Sequence, residues 1–316
     1  MLGFMNALPG AVSQGLIWGI MAIGVYLTYK ILDIADLTVD GSFCTGGAVC
    51  AVLIAGGTNV WLALLCAILA GMLAGLATGV LHTFCGIPAI LAGILTQLGL
   101  WSVNLAIMGM KATVAINISD KETLNKLVVS SRFLSDVAAG KQPVFRHPIF
   151  IVGLFVVAII AVLYWFFGTE LGCSLRATGA NPNMSRAQGI NTDFNKVLGL
   201  VLSNGLVALS GALLAQYQSN GEINMGRGAI VIGLAAVIIG EVLFGRFFRN
   251  FGLKLLAVAI GAIIYYAVIQ AVLSLGLNPN YLKLLSALVV ALFLSIPYWK
   301  GHYFSKPVKK GDRNNA

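Results

Sequence analysis

The sequence predicts an all-α polytopic membrane protein with about eight to ten transmembrane helices, some of them broken or re-entrant. Three observations carry that prediction. Hydrophobic residues make up 59% of the 316 residues and charged residues 10%, where soluble domains carry about 25% charged. Residues 41–110 contain no Asp, Glu, Lys or Arg, and the same holds for 147–169, 197–221 and 255–282. A helix needs roughly 20 such residues to cross a bilayer. A mean hydropathy of +0.91 cannot be hidden inside a water-soluble globule of this size, which excludes a soluble enzyme.

Taken in order, the first span runs from Pro9 to Tyr29. No basic stretch and no small-residue cleavage signal accompany it, so it reads as retained. ILDIADLTVDGSF, residues 31–43, then places Asp33, Asp36 and Asp40 beside an apolar stretch, 44–55, too short to cross alone. Residues 31–55 therefore read as a broken or re-entrant helix, which a membrane tolerates only where protein or water satisfies the opened backbone. Spans at 60–82 and 88–110 follow. The polar segment 111–147, with Lys121, Glu122, Lys126 and Arg132 at helical spacings, is large enough to cap one membrane face. The span 148–168 ends in YWFF, an interfacial aromatic belt. Beyond the polar segment 169–195 come spans at 197–216, 228–244 (containing Glu241), 251–275 and 281–298, joined by QYQSNGEINMGRG, RFFRN and a tight turn at LNPNY.

Charge orients these spans. The tail, 299–316, carries Lys300, Lys306, Lys309, Lys310 and Arg313 against Asp312, which puts it in the cytoplasm by the positive-inside rule. Counting back, 246–250 and 169–195 are cytoplasmic, while 111–147, 217–227 and 276–280 face outside. The N-terminal side depends on whether 31–55 crosses. The net charge of +9 lies in loops and tail, where it anchors the chain against anionic lipid and does not indicate nucleic acid. The chain thus divides into one transmembrane domain, 1–298, and a basic tail.

Recognisable catalytic chemistry is absent from the sequence. There is no P-loop, no H-E-x-x-H and no G-x-S-x-G. The five cysteines form no C-x-x-C pair, so neither a disulfide nor a metal site is assigned, and His82, His147 and His302 sit at span ends. Gly71, Gly75 and Gly79, like Gly205 and Gly211, form small faces that suit close helix packing or a groove along a transport path. The polar residues in apolar surroundings are more informative. Gln97, Asn104, Asn204, Gln216 and Gln270 should face the bundle interior or a water-filled cavity. Asp36, Asp40 and Ser42 admit three roles: capping a helix that begins near Asp40 or Ser42, lining a translocation pathway or gate, or coupling transport to an ion. The pathway group is Asp36, Asp40, Ser42, Gln97, Asn104, Asn204 and Gln270.

Residues 169–195 carry the clearest soluble feature. Leu171, Leu175 and Thr178 can share a helix face, Asn181-Pro182 marks a turn, and Pro182 can start a short helix through Ala187. Such a knob between two spans suits force transmission to a cytoplasmic partner. Its sequence, LGCSLRATGANPNMSRAQGIN, resembles the coupling segment of permease subunits of the branched-chain amino acid/ribose class of bacterial ABC importers, through Gly172, Arg176, Ala177, Gly179, Asn181, Gly189, Ile190 and Asn191. Residues 196–215 are similar to the family's next helix, with Asn204 where glycine is more usual. DLTVDGSF, 36–43, resembles the motif opening its second transmembrane element, and GEVLFG, 240–245, departs from the usual turn at Glu241. The likeness spans about residues 10–298 and leans toward a tryptophan/tyrosine or uncharacterised-substrate subfamily.

The resemblance implies a location in the bacterial cytoplasmic membrane and a subunit that is not itself an enzyme. It implies pairing with a second permease copy, as a homodimer, and with a cytoplasmic P-loop ATPase dimer that carries ATP and Mg. An external solute-binding protein would deliver the substrate, a small solute such as an amino acid. Leu175, Arg176, Gly179, Asn181, Arg186, Gly189 and Ile190 would form the ATPase-coupling surface, and this chain would bind no cofactor. The competing reading is an ion-coupled secondary carrier with broken helices at 31–43 and 86–97, coupled through Asp36 or Asp40.

Overall fold

The computed structural model describes residues 2–117, 126–138, 143–245, 247–248 and 250–274, with 284, 287–288, 290–292 and 295 as isolated positions beyond them. The expected turn at 276–280 lies outside the described residues, as do the tail and, apart from those positions, the span 281–298.

Among the described residues six helices are long and apolar enough to cross a membrane, and two apolar helices are shorter. The long ones are α1 (Leu2–Tyr26, continued by a π turn, Leu27–Ile31), α3 (Val60–Thr83), α4 (Ala89–Ile107), α6 (Pro148–Phe166), α9 (Thr192–Gln218) and α11 (Phe251–Ser274). The short ones are α2 (Val39–Ala55) and α10 (Ala229–Phe244). Local chemistry sets several starts. Asn59 accepts the Trp61 N–H ahead of α3, and His147 caps α6 with Pro148 in its first turn. Asn191 accepts the Phe194 N–H ahead of α9. His147 is thus a helix cap, and His82 meets the Ile87 carbonyl at 2.8 Å, both at span ends as expected.

The long polar connection holds a strand, β1 (Thr113–Ala115), and a short helix, α5 (Arg132–Ala138). Strand β1 pairs antiparallel with β2 (Asn220–Glu222), with Thr113 opposite Glu222. The Val128 N–H donates to Gln216 Oε1, and the Ser131 N–H to the Tyr217 carbonyl. This ribbon and its flank therefore close over the end of α9. At the opposite end of the bundle α7 (Glu170–Ala180) and α8 (Pro182–Ala187) form the knob, with the helix starting at Pro182 where the sequence places it. The two ends are called the knob face and the ribbon face below.

Contacts fix where the N-terminus lies, which the sequence left open. A Cβ built on Gly10 would stand 3.7 Å from the Tyr217 hydroxyl, at the ribbon face, while Ile31 abuts Gly179 of the knob. Helix α1 thus starts on the ribbon side and runs the full depth to the knob side. The core is built on α9, which packs against α1, α2 and α3. The approach is close because glycines line it. A Cβ at Gly46 would overlap the Ala208 carbonyl, and one at Gly211 the Phe43 carbonyl. Gly71 and Gly75 meet Asn204 and Leu200 in the same way, so the small-residue face of α3 serves helix packing.

Candidate functional site

Two chain reversals build the site. After α1 reaches the knob face, residues 32–38 turn back into the bundle and α2 begins there, running to the ribbon face. After α9 reaches the ribbon face, residues 223–228 turn back in the opposite sense and α10 begins there. The sequence reads 217–227 as a loop on the outer side; in the structure its later part turns into the bundle, where Gly226 packs directly on the Asp40 carbonyl of α2. From there α10 runs to the knob face, where Glu241 pairs with Lys30 at 3.1 Å. Two half-length helices therefore start inside the bundle with their N-termini together, beside Asn204 at the midpoint of α9. A helix N-terminus carries partial positive charge and unpaired N–H groups, so two of them inside a membrane need acceptors.

Asp40 supplies one set. Its Oδ2 accepts the Gly228 N–H at 2.8 Å and its Oδ1 the Ile230 N–H at 2.9 Å. Gly228, at φ 87°, has no side chain with which to cap α10, and the carboxylate arrives from a helix nearly 190 positions away. Of the three roles the sequence allows, capping is thus present but at a different helix: Asp40 caps α10, not the helix that begins beside it. Near the start of α2 the carboxylate is instead Asp36, whose Oδ1 accepts the Thr38 N–H at 2.9 Å.

Asp36 is 2% exposed and is held further by Asn204, whose Nδ2 donates to Asp36 Oδ2 at 2.7 Å and to the Leu200 carbonyl at 2.9 Å. Asn204 Oδ1 in turn accepts the Ser42 hydroxyl at 2.5 Å. Thr38, Thr78 and Thr96 extend the network through hydroxyl contacts of 2.6 and 2.9 Å, joining the start of α2 to α3 and α4. Among the described residues neither Asp36 nor Asp40 has a Lys or Arg nitrogen within 4.0 Å. Their oxygens are met by backbone N–H groups and the Asn204 amide. Asp33, at φ 56°, is exposed and takes no part.

Next to Asp40 opens a cleft of about 230 Å³, lined by Gln97, Trp101 and Asn104 of α4 and by Asn224 and Arg227 of the returning segment. Asn104 is 1% exposed; its Nδ2 approaches the Gly41 carbonyl at 3.5 Å, and among the described residues its Oδ1 has no hydrogen-bond partner. The pathway residues expected from the sequence thus gather at one place, with Gln270 as the exception. Gln270 stands apart on α11. Gln216, expected only to face the interior, is buried there and serves the ribbon-face closure, donating to Cys50 Sγ at 3.4 Å. The sequence reading missed Asn224, Arg227 and the threonine chain. A signal was present in the glycines at 226 and 228, which mark a segment that approaches other backbone closely.

The knob divides into an inner and an outer side. Leu175 and Thr178 are each 1% exposed and Gly172 is buried, whereas Leu171 is exposed, so Leu171 does not share their face. Asn195 Nδ2 donates to Thr178 Oγ1 at 2.9 Å, and Arg186 reaches Thr192 Oγ1 at 2.8 Å, which fasten the knob to the first turns of α9. Gly179 faces Ile31 and Leu32, and Arg176 donates to the Phe167 carbonyl. The outer surface carries Asn181, Pro182, Met184, Arg186, Ala187 and Gly189, with Ile190 half-buried. A Cβ at Gly179 would overlap the Ile31 carbonyl, so Gly179→Ala should destabilise by about 1–3 kcal/mol through overpacking. Thermal melts of the detergent-purified protein will show it as a lowered Tm.

Comparison with known proteins settles the class. Residues 8–294 match the family described as "Branched-chain amino acid transport system / permease component". The chain belongs to that family. It is 38% identical to a tyrosine transport system permease protein of Clostridioides difficile (strain R20291), over 92% of this chain and 91% of the other. It is 25% identical to a ribose import permease protein of Escherichia coli (strain K12), over 91% and 84%. This permease is a multi-pass membrane protein, and the broken-helix junction with its adjoining cleft is the polar feature at its centre.

Proposed function

We propose that this permease is the membrane-spanning subunit of an ATP-driven importer for an amino acid with an aromatic side chain. One observation carries the mechanism. The knob and the junction share a single helix: Asn195 of α9 holds Thr178 of the knob, and Asn204, nine residues on, holds Asp36 and Ser42. Nine residues of helix span about 14 Å. A displacement of the knob is delivered along α9 to the point where both half-helices begin.

In this reading the knob face is cytoplasmic, as the charge of the tail favours, and α1 begins outside. The outer surface around Met184 and Pro182 docks on a P-loop ATPase dimer, which binds ATP and Mg. A second copy of the permease completes the path, and an external binding protein hands over the solute at the ribbon face. Amino acid is favoured over sugar because the tyrosine permease is the more similar of the two relatives, and because the cleft is chemically suited. Arg227 can take a carboxylate, Gln97, Asn104 and Asn224 offer amide partners, and Trp101 offers an aromatic face.

The test is co-purification of the ATPase with the wild-type protein and with Met184→Glu, since Met184 is 59% exposed and fastens nothing inside the permease. The expected result is loss of ATPase association and of tyrosine uptake, with unchanged Tm. Full association and uptake by Met184→Glu would remove the docking role. Ion-driven uptake by the reconstituted permease without any ATPase would replace the importer with a secondary carrier.

A further inference from the structure

A second cleft, of about 400 Å³, opens on the knob face between the ends of α1 and α7 and the first turn of α11. Three cations line it: Lys30, Arg176 and Lys254. One acid, Glu241, answers Lys30. Arg176 is held in place without being neutralised, because its guanidinium donates to the Phe167 carbonyl and lies 5.2 Å from the Phe251 ring centroid and 5.7 Å from that of Phe167. Lys254 is exposed and has no carboxylate within 4.0 Å among the described residues. Among the described residues, two of the three cations that line the cleft thus have no carboxylate within 4.0 Å.

The depth of the cleft bears on which anion would answer them. Lys30 ends one spanning helix, Lys254 lies in the first turn of another, and α6 ends beside them. Trp165, Tyr164 and Phe247 are 71%, 59% and 78% exposed around that level, which is how aromatic side chains stand where acyl chains meet headgroups. The surface proposed above for the ATPase lies elsewhere, on α8. We propose that this cleft binds the phosphate headgroup of an anionic phospholipid, with Arg176 and Lys254 on the phosphate oxygens and the acyl chains against the exposed aromatic belt. The site ties α7 of the knob to α1 and α11 through a lipid, and it stands independently of what the permease carries.

The experiment is native mass spectrometry of the delipidated, detergent-purified full chain, titrated with dioleoylphosphatidylglycerol or dioleoylphosphatidylcholine. Phosphatidylglycerol should bind in preference, and Lys254→Gln should weaken it about fivefold, the effect of one surface charge, while Lys254→Arg retains it. Equal binding of the two lipids, or unchanged phosphatidylglycerol binding by Lys254→Gln, overturns the proposal. Inorganic phosphate that displaces the lipid at submillimolar concentration would assign the cleft to a free anion instead. Loss of ATPase co-purification in Lys254→Gln with lipid binding intact would assign it to the protein partner.

Discussion

Asp40→Leu is expected to lower stability by about 2–5 kcal/mol, because the N–H groups of Gly228 and Ile230 lose their acceptor, and each unmet buried donor costs ~1–3 kcal/mol. That is a large share of the ~5–15 kcal/mol that separates most folded domains from their unfolded states. Leucine cannot accept either bond, and water from the adjoining cleft replaces the lost acceptor only in part, because Gly228 and Ile230 are half-buried. Asp40→Asn keeps one carbonyl oxygen and turns an N–H₂ toward the other donor, so its loss should fall between those of wild type and leucine. The control is Asp33→Asn. Asp33 is exposed and Asn tolerates its positive φ, so that change should stay within ~0.5 kcal/mol. Thermal melts rank the three. Hydrogen exchange locates the damage: amides 228–232 should lose protection in Asp40→Leu ahead of those at the start of α2. Faster exchange at 39–43 with 228–232 unchanged would return Asp40 to the role of a local cap.

Those three aspartates show what the sequence could and could not reveal. Spans were legible because a charge-free run of membrane length suits a bilayer and little else, and the break at 31–43 was legible because three carboxylates cannot sit on a continuous lipid-facing helix. Which carboxylate does what was hidden, since Asn204 lies 168 positions from Asp36 and the start of α10 about 190 from Asp40. Local rules find a helix cap within a few residues and miss one supplied by another helix. The inward turn at 223–228 was hidden for a related reason. QYQSNGEINMGRG has the glycine and polar content of an exposed loop, and only its contact with the Asp40 carbonyl shows that Gly226 is there to let two backbones meet. The knob was the reverse case. Its turn, cap and short helix follow from Asn181-Pro182, and its buried face was nearly right, with Gly172 in the place expected for Leu171.

The second large effect concerns Asn204, and here the double variant should be less harmful than the sum of its parts. Asn204→Ala removes the 2.7 Å donor to Asp36 Oδ2 and strands a buried carboxylate oxygen, at a cost of about 3 kcal/mol or more. The Ser42 hydroxyl suffers less, because the Thr38 carbonyl remains at 3.1 Å. Asp36→Ala leaves the Thr38 N–H unmet but lets the Asn204 amide keep the Leu200 carbonyl, so about 1–3 kcal/mol is expected. Combining the two removes the stranded carboxyl oxygen along with its partner. The double variant should therefore be no less stable than Asn204→Ala alone, with a coupling energy within the ~0.5–3 kcal/mol seen for contacting residues. Strict additivity of the Tm changes across the four proteins would mean that the two side chains do not share a network. Function supplies a further distinction, because packing and transmission respond differently to the double variant. If α9 passes the motion of the knob to the half-helices through the Asn204 contacts, the folded double variant should still bind the ATPase and hydrolyse ATP while moving little solute. A merely structural network would instead restore uptake in proportion to the restored stability, since nothing then depends on which atoms α9 grips.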